Sequence, residues 1–204
     1  MTHLQAQAQT VRRPTIAVIL RELAETVLLA FAIFIVVNII SARFRIDGDS
    51  MTNSFHNGQY VIVNRMAYLF NPPTHGDVVV FVPPESSPAT FLENMLGRPG
   101  QTDFIKRVVA VAGDSVEIDA GKLYVNGAHV LEPYLREPMY PTETQRWELG
   151  ARQYLVLGDN RNFSKDSRAA HIGPVPLEHI VGKVWAVYFP IQDWRIVRLH
   201  MDQD

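Results

Sequence analysis

There is no cysteine among the 204 residues, which removes disulfides, thiolate metal sites and a cysteine nucleophile from consideration. Nor is there a surplus of positive charge. With 19 basic and 21 acidic residues the net charge is -2, and no stretch gathers lysine and arginine as a nucleic-acid surface requires, so no nucleic-acid partner is expected. The seven histidines are scattered, with no His-Glu-x-x-His and no pair at helical ligand spacing. They read as surface or loop residues, and neither a metal nor another cofactor is expected. Gly-x-Ser-x-Gly is also missing, so no histidine stands in a recognisable triad context. The chain has no internal repeats and no low-complexity tract.

What the chain does have is a long apolar run. Residues 23–40 are apolar except for Glu25, Thr26 and Asn38, and 18 helical residues reach about 27 Å, close to the hydrocarbon thickness of a bilayer. The run is apolar on every face rather than striped, which argues against a buried helix of a soluble core. Ile40-Ser41-Ala42 lacks the small first residue of a small-x-small cleavage site, so the segment is expected to be an uncleaved anchor. Arg12, Arg13 and Arg21 precede it, while Arg43 and Arg45 follow, which favours a cytoplasmic N-terminus by one charge. The expected organisation is therefore a cytoplasmic tail over 1–22, polar and without periodicity to residue 14, a transmembrane anchor over 23–40, and an extracytoplasmic domain over 41–204. At about 160 residues the soluble part suits one domain with its own core.

Beyond the anchor the pattern is that of strands. Segments 60–64, 77–82, 104–111, 115–118, 122–125, 154–157 and 181–189 are short, rich in Val, Ile, Tyr and Phe, and bounded by Gly, Pro, Asn or Asp. The domain is expected to be mostly β. Asn126-Gly127 after a strand signals a hairpin, because both positions of a type I′ turn need positive φ. The gaps 83–103 and 133–152 read as long loops. Trp185, Tyr188, Phe189 and Trp194 suit either a membrane interface or the core.

Three segments carry the chemistry. Gly48-Asp49-Ser50-Met51 begins eight residues after the apolar run ends at Ile40 and carries a serine. A serine hydroxyl attacks an amide only if a base takes its proton, and lysine serves when desolvated. Lys106 lies in the apolar strand Phe104-Ile105-Lys106-Arg107-Val108-Val109, where period-2 alternation leaves apolar neighbours on both faces. Removing an ammonium from water lowers its pKa from about 10.4, by up to ~3–5 units for full burial. The third segment, residues 158–168, supplies Ser164 to orient the amine. Its Asp159, Asp166, Arg161 and Arg168 can pair with one another or with Arg107. Each segment alone reads equally as a solvated turn or a snorkelling strand-end lysine.

Taken together they resemble type I signal peptidase, the membrane-anchored Ser-Lys protease of the peptidase S26 type. The likeness runs through residues 44–51, Gly76-Asp77-Val78-Val79-Val80-Phe81, Lys106-Arg107-Val108-Val109-Ala110-Val111-Ala112-Gly113-Asp114, Gly158-Asp159-Asn160-Arg161 and Asp166-Ser167-Arg168. The resemblance implies Ser50 as nucleophile, Lys106 as general base, Ser164 as the lysine's orienting partner, salt bridges among Asp159, Arg107, Asp166 and Arg168, and Met51 lining the substrate site. It also implies a mostly β, signal-peptidase/LexA-like domain with a groove for an extended signal peptide of an exported preprotein, cut after Ala-x-Ala-like sites. The Ser50 N–H would serve the oxyanion, and the setting would be the cell membrane, near the translocation machinery.

Two departures stand out. The family commonly continues Ser-Met-x-Pro-Thr, whereas this chain has Ser50-Met51-Thr52-Asn53-Ser54, so the fixed φ of proline is missing at Asn53. Some members carry a hydroxyl two residues before the nucleophile, where this chain has Gly48. Asn53 keeps open a catalytically weak or inactive relative that binds signal peptides. A LexA-like self-cleaving regulator is the other alternative, though it would want a DNA-binding segment in place of the span.

Overall fold

The computed structural model describes residues 15–85 and 103–197. Residues 1–14 of the tail expected over 1–22 and most of the loop expected over 83–103 lie outside them. The chain divides into two units, Met1–Asn38 and Ile39–Asp204.

In the first unit, helix α1 runs Ile16–Ile40, has 25 residues and buries none of them. Its length, about 37 Å at 1.5 Å per residue, and its composition are sufficient to cross a bilayer. It starts ahead of the apolar run. Arg21 and Glu25 lie one turn apart and pair at 2.7 Å, which lets this more polar turn stay helical.

The second unit is built from strands β1 (Ser41–Arg45), β2 (Tyr60–Asn64), β3 (Val78–Phe81), β4 (Phe104–Ala110), β5 (Ser115–Asp119), β6 (Lys122–Val125), β7 (Ala128–His129), β8 (Gln145–Glu148), β9 (Gln153–Leu157), β10 (Val175–Pro176), β11 (Ile180–Phe189) and β12 (Arg195–Ile196). The larger sheet has the order β1-β2-β11-β3-β4-β9-β10, with β12 added beside β11, and the smaller one is β7-β6-β5-β8. The mostly β expectation therefore holds. Asn126 and Gly127 form the β6–β7 turn with φ of 53° and 78°, as their residue types require.

The 133–152 stretch is not a continuous loop: β8 pairs with β5, Trp147 opposite Val116. Gln-Arg-Trp-Glu offers one apolar residue and an alternation of half-buried and exposed positions, too little for a sequence pattern to register as a strand.

Three apolar clusters fill the domain. Met51, Phe55, Val61, Val63, Val78, Val80, Val184 and Val187 meet in one. Val116, Ile118, Leu123, Leu149 and Leu155 form a second between the sheets' residues, and Val79, Phe81, Val108, Tyr154 and Val156 a third. Strand β4 contributes to the second and third, which is why residues 106–110 are buried on both faces.

Strand β11 pairs along one edge with β2 and along the other with β3 and then β12. Gly182 sits at its tightest point, where an added Cβ would lie 2.4 Å from the Asn64 carbonyl oxygen. The Gly182→Ala protein is expected to lose about 1–3 kcal/mol of stability through forced displacement of β2, read as a lowered denaturation midpoint.

Candidate active site

Ser50 stands in the turn that follows β1. Gly48 precedes it at φ 101°, a conformation that a side chain disfavours. A hydroxyl-bearing residue at position 48 would therefore be strained here. The turn closes with Ser54 N–H and Phe55 N–H donating to the Met51 carbonyl at 2.9 and 2.7 Å.

Lys106 reaches this turn from β4. Its Nζ donates to Ser50 Oγ at 2.7 Å and to the Ile105 carbonyl at 2.7 Å. The residue is 3% exposed, with the Phe104 ring 5.4 Å from its amine. Burial lowers its pKa to about 8, a shift that the charges of Asp166 and Asp159 partly oppose.

Around the pair lie three buried ion pairs. Arg107 and Asp159 are bidentate, Nε–Oδ1 2.8 Å and Nη2–Oδ2 2.6 Å, and the third arginine nitrogen donates to the Gly76 carbonyl at 2.9 Å. Arg168 grips Asp166 with two donors at 2.8 Å each, and Asp166 also accepts the Gly158 N–H at 3.0 Å. Burial works to raise the Asp166 carboxyl, but Arg168 and the Gly158 N–H outweigh it and hold the group below its ordinary range. Arg161 grips Glu132 at 2.6 and 2.5 Å and donates to the Gly158 carbonyl at 3.1 Å. Each carboxylate is thus matched by a guanidinium. Their fields largely cancel, which leaves desolvation to dominate at Lys106.

The Ser50 turn is stapled to the 158–160 segment. Asn160 N–H donates to the Ser50 carbonyl at 2.9 Å and its side chain to the Asp49 carbonyl at 3.0 Å. Asn53 Nδ2 donates to the Asp159 carbonyl at 2.9 Å, and Ser54 Oγ donates to Asp159 Oδ2 at 2.5 Å. Hydrogen bonds from Asn53 and Ser54 brace the turn where a proline would have fixed φ. Gly158 permits the close approach: an added Cβ would fall 2.2 Å from Ser164 Oγ and 2.6 Å from the Ser50 carbonyl oxygen.

Most of the sequence-nominated residues converge here. Ser164 adjoins Gly158 with its Oγ buried, and its hydroxyl is among the groups that hold the Asp166 carboxyl below its ordinary range. Met51 is 1% exposed within the core, its Sδ accepting the Asp159 N–H at 3.4 Å. It is not among the described residues lining the groove of about 390 Å³ that passes Ser50 and Lys106, whose apolar walls are Phe44, Ile46, Val61, Val80 and Ile105.

Sequence reasoning missed Glu132 and Tyr134. The buried Tyr134 donates to Glu132 at 2.6 Å and lays its ring 4.2 Å from the Arg107 guanidinium carbon. Charge counting held the available hint. Arg107, Arg161 and Arg168 outnumber Asp159 and Asp166, and a buried cation needs a partner, so a third carboxylate had to come from elsewhere in the chain.

The chain matches, over residues 20–189, the family described as signal peptidase, peptidase S26. It belongs to that family. It is 37% identical over 151 residues to a probable signal peptidase I-1 from Synechocystis, covering 73% of this chain and 71% of the relative. Against signal peptidase IB of Staphylococcus aureus it is 34% identical over 196 residues, covering 86% and 94%. A solved signal peptidase I from Enterococcus faecalis aligns with a TM-score of 0.42 at 24% identity, over 55% of this chain and 97% of that one. As a member of the signal peptidase family the chain is a serine peptidase, a hydrolase of peptide bonds.

Removing one partner of a buried bidentate pair leaves an uncompensated charge. In this signal peptidase Asp159→Asn, which strands Arg107, is expected to cost about 3–5 kcal/mol, measured by denaturant unfolding of the full chain in detergent.

Proposed function

We propose that this protein is a signal peptidase I that cuts signal peptides from exported preproteins with Ser50 as nucleophile and Lys106 as general base. The observation that carries the proposal is the 2.7 Å contact between Lys106 Nζ and Ser50 Oγ, made by an amine whose burial brings its pKa to about 8. A useful fraction of such an amine is neutral near physiological pH.

The neutral amine takes the Ser50 proton as Oγ attacks the scissile carbonyl. The Ser50 N–H meets the oxyanion, and the tetrahedral intermediate collapses as the lysine ammonium returns its proton to the leaving amine. Water then attacks the acyl-enzyme with Lys106 again as base. Arg107, Asp159, Asp166 and Arg168 hold the lysine strand against the nucleophile turn, joined by Glu132 and Arg161. Ser164, buried beside Gly158 and Asp166, is proposed to orient the amine when substrate fills the groove.

Strand β1 ends the larger sheet, and Phe44 and Arg45 at its end line the groove. An extended peptide can add to such an edge. Apolar walls of this size suit small side chains at alternate positions, as in Ala-x-Ala. Met51 shapes the substrate site from the core rather than from the lining.

Helix α1 serves as the membrane anchor, with the N-terminus cytoplasmic, the catalytic domain outside, and the translocation machinery nearby. The exposed Trp185, Phe189 and Trp194 supply the amphipathic rings that favour a bilayer interface. The bracing by Asn53 favours activity over the inactive alternative.

The test is cleavage of a precursor bearing an Ala-x-Ala site by the full chain in detergent. Cleavage after the second Ala is expected, falling at least ~10³-fold in Ser50→Ala and Lys106→Met, both folded. Since protonation disables the base, kcat/KM should decline as pH drops through about 8. A Lys106→Met protein that cleaves at the full rate would refute the base assignment.

A further inference from the structure

The segment beyond the family match, which ends at residue 189, reaches back to the nucleophile turn. β12 is fixed on β11 through the pairs Val187–Arg195 and Ala186–Ile196, and the Val197 N–H donates to the Trp185 carbonyl at 2.8 Å. From this support the Arg195 guanidinium donates to the Ser54 carbonyl at 2.5 Å and to the Asp193 carbonyl at 3.3 Å. It also lies 5.3 Å from the centre of the Phe55 ring, within cation–π range.

Asp193 makes a second grip. Its carboxylate accepts from Gln59 Nε2 at 2.7 Å. Gln59 is 2% exposed, and its other side-chain atom accepts the His56 N–H at 3.0 Å. Residues 54–59 are therefore held at both ends by residues 193–195.

Ser54 is a sensitive place to hold. Its N–H closes the turn on Met51, and its hydroxyl binds Asp159 and accepts from Arg107 at 3.2 Å. Its carbonyl, at the open end of that turn, has no helical donor to meet it, so the guanidinium supplies one. Any shift of Ser54 is passed through a single turn to Ser50.

We propose that Arg195 is a positioning residue for the reaction: through Ser54 it fixes the nucleophile turn in register with Lys106. The inference rests on Ser50 and Lys106 as the reacting pair. Misplacement on the order of 1 Å costs up to ~10²-fold in rate, so a loss in kcat is expected with KM little changed, because Arg195 does not line the groove.

The experiment compares the full chain in detergent as wild type, Ser50→Ala, Arg195→Gln and Arg195→Lys on an Ala-x-Ala peptide, with kcat, KM and Tm for each. β12 pairs through its backbone, so both substitutions keep it. Arg195→Gln should lower kcat by about 20-fold. Arg195→Lys, which keeps a charged donor of shorter reach, should lower it by about threefold. KM should stay within about twofold in both. A lowered Tm with full kcat per folded enzyme, in either variant, overturns the proposal and leaves Arg195 a stability element. Should Arg195→Gln not fold, the same criterion applied to Arg195→Lys decides. An inactive wild type sinks the Ser50–Lys106 reading itself, whereas an active wild type with a dead Ser50→Ala and unimpaired Arg195 variants sinks this inference alone.

Discussion

Burial of one amine beside one hydroxyl is the constraint on which this site depends. Lys106 sits where water is excluded, and the penalty for charging it there outweighs the pull of the nearby acids, which brings its pKa to about 8. The cost appears in stability. An unfolded lysine titrates near 10.5, so between about 8 and 10.5 the folded chain holds fewer protons than the unfolded one, and stability rises with pH across that window. Below it, both states are charged and the folded protein carries the whole burden of a buried ammonium.

That balance requires acids nearby that do not act as the lysine's counter-ions. Asp159, Asp166 and Glu132 are each engaged by an arginine in a two-point contact. A bidentate guanidinium spends most of a carboxylate's field locally. The same pairs tie strand β4 to residues 158–168, and Asp159 also receives the Ser50 turn through Asn53 and Ser54. Electrostatic tuning and mechanical bracing are thus performed by the same groups. Gly158 belongs to this arrangement because no larger residue fits between Ser164 and the Ser50 carbonyl.

Much of this was legible in the sequence, and what was not has physical causes. Ser50 and Lys106 could be nominated because a lysine within Phe-Ile-Lys-Arg-Val-Val contradicts the apolar pattern around it. Strands β2 to β6 followed from their Val and Ile content and their turn residues. Strand β8 did not, since one tryptophan among polar residues carries no period. Glu132 and Tyr134 come from a stretch with no motif of its own and reach Arg161 and Arg107 only through tertiary folding. The proline missing at position 53 read as a loss of rigidity, yet rigidity came from hydrogen bonds made by the residues that replaced it, which no local rule anticipates. Met51, adjacent to Ser50 and expected at the substrate, packs into the core from the tight turn.

The most direct measurement is the titration of Lys106 itself. The full chain, with lysine side chains labelled at Cε and held in detergent micelles, is followed by NMR across the alkaline range, the Lys106 signal being assigned by its absence in Lys106→Arg. A midpoint near 8 is the value this account predicts. A midpoint at the ordinary lysine value near 10.5 would leave almost no neutral amine beside Ser50 at neutral pH, and would contradict it.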